Sequence, residues 1–121
     1  MLLGEYGPDR EPYYVRNGGV PVPLTLVEGP LSAVPDLKSY DLVSLSSSLD
    51  LATDEEVKAT VAVLAEALRP GAAVFVRQLG CRRSVRPFFE KEFWFDASTG
   101  RRFAERDRSL LHHRFEIAVR R

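Results

Sequence analysis

Three consecutive serines, Ser46-Ser47-Ser48, with Asp50 close behind, follow the short apolar run Leu42–Ser46. If that run is a strand of an open α/β sheet, the hydroxyls sit where such sheets bind ligands, outside the carboxyl ends of their strands. Serines after a strand also serve as plain loop and cap residues. A serine-histidine-aspartate hydrolase is not the reading, because no G-x-S-x-G elbow is present. The second constellation is His112-His113. Neighbouring side chains on a strand point to opposite faces, so the pair cannot grip one metal. One of them can act as a general base that deprotonates an acceptor hydroxyl, or simply pack or face water. His112 is the candidate for that role, with Asp107 as a second candidate catalytic residue; Asp107-Arg108 equally suits a local ion pair at the entry to the last strand. Arg82, Arg83, Arg86 and Arg108 supply the planar cations that recognise phosphate or a lipid headgroup.

These groups need elements to position them. The 121 residues suffice for one domain with a single core, which at this size buries roughly two-thirds of its unfolded surface. Seventeen basic residues balance seventeen acidic ones, so nothing in the net charge argues for nucleic acid. The balance is uneven along the chain, with 5 basic against 11 acidic residues in 1–76 and 12 against 6 in 77–121. A basic C-terminal third fits a solvated face, or a surface for phosphate or anionic headgroups. Cys81 is the single cysteine, which leaves no disulfide within the chain and no thiolate zinc cluster, and suits a reducing cytoplasm. No apolar run approaches the roughly 20 residues that span a bilayer, and no signal-peptide pattern opens the chain. The expected protein is cytoplasmic, at most peripheral to a membrane.

Residues 1–23 are dense in Gly and Pro, with Tyr6, Tyr13 and Tyr14 between them, and read as an extended arm. Residues 24–121 read as the folded domain. LTLVEG, Leu24–Gly29, is expected to be a buried strand closed by Gly29-Pro30. Leu42–Ser46 suits a central parallel strand. Thr53-Asp54-Glu55-Glu56 is a capping box that starts a helix, whose Val57, Val61, Leu64 and Leu68 form one apolar stripe. Pro70-Gly71 stops it and Ala72–Leu79 is the next strand, so Tyr40 to Gln78 makes one βαβ unit. Pro87 is expected to cut a short helix in SVRPFFEKEF. FWFD and RFEIAVR, Phe93–Asp96 and Arg114–Arg120, are expected to pair antiparallel at a sheet edge, joined through a turn at Ser98-Thr99-Gly100. The clustered Phe88, Phe89, Phe93, Trp94 and Phe95 fit core or interface packing.

The strand, the capped helix, the LRPG turn, the following strand and the final hairpin resemble the carboxyl half of a class I S-adenosylmethionine-dependent methyltransferase domain. LLGEYGPDREPYYVR and ERDRSLLHHRFEIAV, together with Leu45-Ser46 and Asp50, resemble segments of the betaine-lipid synthase family, which transfers the 3-amino-3-carboxypropyl group of S-adenosylmethionine to diacylglycerol. That resemblance implies an incomplete Rossmann-like α/β sheet with parallel central strands and an antiparallel C-terminal edge pair. It implies that Ser46, Ser47, Ser48 and Asp50 line the adenosine side of the cofactor. The family's glycine-rich first strand has no counterpart here, so a homodimer or a complementary subunit is expected to complete the sheet. The Leu24 strand lies beside the Leu42 strand in this expectation, or the edge stays open for another chain.

Overall fold

The computed structural model describes Gly18 and residues 23–80, 83–107 and 111–121. Most of the expected arm, along with Cys81, Arg82 and Arg108, lies outside the described residues. The sheet has four strands: β1 (Leu42–Ser46), β2 (Ala73–Gln78), β3 (Phe93–Phe95) and β4 (Arg114–Arg120), in the order β1-β2-β4-β3. The helices are α1 (Asp54–Ala67), α2 (Arg86–Phe89) and α3 (Ala97–Arg106). The fold is α/β around an open mixed sheet, in which β1 runs parallel to β2, and β4 runs antiparallel to both β2 and β3.

The parallel unit forms as its residues dictate. Thr53 caps α1 reciprocally: its amide donates to Glu56 Oε2 at 2.7 Å and its hydroxyl accepts from the Glu56 amide at 3.2 Å. These hydrogen bonds, from the Thr53 backbone first, hold the Glu56 carboxyl below its usual range. The stripe Val57, Val61, Leu64 and Leu68 is buried in one cluster with Val74 and Val76 of β2 and with Phe89 and Phe93. Gly71 takes a left-handed φ of 87° after the helix, and its amide donates to the Arg120 carbonyl, which starts β2 in register with β4.

Alternation on β2 sorts the layers. Val74, Val76 and Gln78 are buried, whereas Ala73, Phe75 and Arg77 are half-buried on the opposite face. The first face carries α1 and the Phe89 of α2, whose ring meets Phe93 edge-on at 5.4 Å. The second face carries α3, with the Phe103 ring 5.2 Å from Phe75. Arg120 locks the far end, where its Nε donates to the Ala65 carbonyl and its Nη1 to the Glu92 carbonyl, both at 2.9 Å.

Several expectations need correction. Leu24–Gly29 is not a strand; Leu24 and Leu26 are 84% and 93% exposed, so the run is apolar without being buried. No described strand therefore pairs with the outer side of β1, which is an edge of the sheet. Pro87 does not cut a helix but occupies the first turn of α2, where its missing N–H has no partner to lose. The antiparallel C-terminal pair does form at one end of the sheet as expected, with β4 against β2 and β3 as the outermost strand. Ser98-Thr99-Gly100 is no turn. It is the first turn of α3, because the Asp96 carboxylate accepts from the Thr99 amide at 3.0 Å and from the Ser98 and Thr99 hydroxyls at 2.7 Å.

Gly100 lets that helix dock. A Cβ built there would stand 2.7 Å from the Phe115 carbonyl oxygen, which is backbone and cannot step aside. Gly100→Ala is expected to destabilise the fold by about 1–3 kcal/mol through overpacking, read as a lower denaturant midpoint. An unchanged midpoint would show that α3 does not rest on β4.

Asp96 gives a pH signature. Its hydrogen bonds, the Thr99 side chain foremost, lower its pKa from 3.8 to about 2. The stabilisation is thus present above pH 3.8 and lost as the pH falls toward about 2. Asp96→Asn keeps a good cap without the charge, and its stability relative to the parent should rise across that window in acid unfolding monitored by circular dichroism.

Candidate functional site at the carboxyl end of the parallel pair

The chain leaves β1 abruptly. Between Ser44 and Ser46 the register against β2 slips, as Ser44 pairs with Phe75 but Ser46 with Val76, so Leu45 is a bulge. Ser46 then takes φ 27° and ψ −136°, a conformation that a residue with a side chain adopts only under constraint. A 3₁₀ turn, Ser47–Leu49, follows, and the Ser48 hydroxyl donates to the Leu45 carbonyl. Leu49 is buried and anchors the turn on the core.

Each expected cofactor-binding residue can now be placed. The Ser46 hydroxyl accepts from Arg77 Nη2 at 3.0 Å. Ser47 Oγ lies 3.4 Å from His112 Nε2, with the donor set by the histidine tautomer. Ser47 and His112, 65 residues apart in sequence, therefore meet. Ser48 faces solvent. Asp50 is drawn into the framework: one carboxylate oxygen accepts from the Leu79 amide at 2.7 Å, and the other stands 3.5 Å from Gln78 Nε2.

The cationic candidates divide as well. Arg83 is committed to holding loops together, with donors to Asp54 Oδ1, to the Ala52 carbonyl at 2.6 Å and to the Leu49 carbonyl at 3.4 Å. Arg86 pairs with Glu90 at 3.3 Å and lies 4.5 Å over the Phe95 ring, so its charge is partly engaged on α2. Asp107 is the residue that ends α3, and its amide donates to the Ala104 carbonyl at 3.3 Å.

Two residues were not singled out in the sequence. Gln78 is fully buried and satisfied by donating to the Arg83 carbonyl at 3.0 Å, with Arg114 Nη1 3.5 Å from its oxygen. Arg77 reaches Ser46. Their signal was present in AAVFVRQL, where two polar residues close an otherwise apolar strand.

An open groove of about 650 Å³ is lined by Gly29 and Leu31, by Ser44 of β1, by Ser48 and Leu51 after it, and by Glu56 and Thr60 of α1. Leu51 is 98% exposed at its rim. Among the described residues no three His, Cys, Asp or Glu side chains are grouped to hold a metal, and no helix is long and apolar enough to cross a membrane. The chain matches no protein-family model, no curated protein and no solved structure.

The role of Asp50 can be tested directly. Asp50→Ala removes the acceptor for the Leu79 amide and one contact of buried Gln78, and should lower stability by roughly 1–3 kcal/mol in chemical denaturation. Asp50→Asn, which keeps one acceptor oxygen, should lose less. Unchanged stability in both variants would free Asp50 for a ligand.

Proposed function

We propose that the chain forms one half of an S-adenosylmethionine-dependent transferase domain, for methyl or 3-amino-3-carboxypropyl transfer, and that a complementary subunit or segment brings the glycine-rich cofactor loop alongside β1. The observation that carries this reading is that β1, one strand of a parallel pair, stands at the edge of the sheet with a groove beside it and a serine-rich loop at its carboxyl end. Parallel strands are normally flanked and covered, and ligands of such sheets sit at their carboxyl ends. The resemblance of the capped helix, the LRPG turn and the antiparallel C-terminal pair to the methyltransferase half points the same way.

In the transfer, an acceptor hydroxyl or amine attacks the carbon next to the sulfonium. The new bond to oxygen or nitrogen forms as the carbon–sulfur bond breaks, the thioether leaves with the electron pair, and the acceptor proton passes to a base. In this reading His112, whose Nε2 lies 3.4 Å from Ser47 Oγ, would be the base that takes that proton. A diacylglycerol acceptor would bring this end of the sheet to a lipid surface.

The same edge favours a second reading, a non-catalytic module that pairs with another copy of itself or with a related enzyme through β1. Amide NMR with S-adenosylmethionine distinguishes the two. The transferase reading expects saturable shifts at Ser46, Ser47 and Ser48, weak in the isolated chain. No response there at millimolar cofactor would overturn it. Light scattering addresses the pairing module, for which a dimer mass is expected and a monomer at high concentration is contrary.

A further inference from the structure

Arg77 lies near the end of β2, on the face opposite Val76 and Gln78. Its guanidinium is fixed from two sides: it rests 5.6 Å from the centroid of the Phe75 ring, and Nη2 donates to Ser46 Oγ at 3.0 Å. No carboxylate pairs with it among the described residues. Its Nε is buried without an acceptor. An arginine remains charged under all ordinary conditions, and a buried N–H with no partner is costly, so a cation held this way is stabilised by an anion brought to it.

The surroundings form a closed circuit of contacts. Ser46 leads to Ser47, whose hydroxyl lies 3.4 Å from His112 Nε2. The His112 ring meets Phe115 edge-on at 6.0 Å, and Phe115 stacks on Phe75 at 6.1 Å beneath Arg77. Asp50, the nearby acid, is engaged with the Leu79 amide and Gln78, whose side chain belongs to the other face. The backbone strain at Ser46, at the carboxyl end of a parallel strand, marks the same spot.

We propose that Arg77, Ser46, Ser47 and His112 form an oxyanion site that takes a carboxylate or a phosphate group. Arg77 supplies the charge, the two hydroxyls and the imidazole supply short-range hydrogen bonds, and Phe75 keeps the guanidinium in place. The site does not depend on the transferase reading. It would serve equally for an anionic substrate, an anionic cofactor group or a regulatory ion.

The test is a titration of the full chain followed by ¹⁵N NMR, with inorganic phosphate in one arm and acetate in the other, each at constant ionic strength set with chloride. Saturable shifts of the Ser46 and Ser47 amides and of the Arg77 Nε–H are expected in at least one arm, and the arm that saturates identifies the source. Arg77→Gln should weaken binding about tenfold or more, as loss of a charge-assisted hydrogen bond implies. Arg101→Gln, exposed on α3, should leave it unchanged. Ser46→Gly relieves the strained backbone while removing the hydroxyl, and keeps the question open to test if the Arg77 variant does not fold; it too should bind more weakly. Shifts that stay linear in both arms, or affinity that survives both variants, would overturn the site.

Discussion

Everything described here depends on the double engagement of β2. It is hydrogen-bonded to β1 on one side and β4 on the other, and its Val74 and Val76 are completely enclosed on one face. A strand paired on both edges leaves no backbone group unsatisfied, and its alternation then decides what each layer must be. The valine face demands the apolar stripe of α1. The opposite face, with Ala73, Phe75 and Arg77, is closed by the smaller α3, and this asymmetry allows a charged residue to sit there at all.

The carboxyl end of the parallel pair is where the two layers differ most in chemistry. On the α1 side, hydrogen bonds among Gln78, Asp50 and Arg83 tie the loop after β1 to the loop after β2. On the α3 side, Arg77 and the serines are less fully engaged. The turn that carries Ser46 and Ser47 is thus held from behind by groups on the opposite face of the sheet.

The sequence reading succeeded where local chemistry decides and failed where distant packing does. The capping box at Thr53, the stripe from Val57 to Leu68 and the Pro-Gly stop are written in consecutive residues, and all formed as expected. Leu24–Gly29 has strand-forming residues, but strands exist only through partners, and that information is not local. Ser98-Thr99-Gly100 has turn composition; Asp96, two residues earlier, converts it into a helix start, and the need for glycine comes from Phe115 on another strand. In the candidate site, the serine loop and His112 were legible as residue types. Their meeting was not, nor was the diversion of Asp50 and Arg83 into the framework, because both follow from the register of β2.

The strand order has a kinetic meaning. β3 touches the sheet only through β4, and β2 waits for β4 as well, so the pairing between Gln78 and Arg114 spans 36 residues of chain. The βαβ unit can condense early from near-neighbour contacts, while its second edge stays unpaired until residues 114–120 arrive. During that interval Phe75 and the rest of the α3-facing surface are uncovered, and the valine face lacks Ala118 and Phe93. The insertion of β4 between its neighbours therefore closes the second edge of β2 by contacts distant in sequence, between Arg114 and Arg120 at the two ends of the strand.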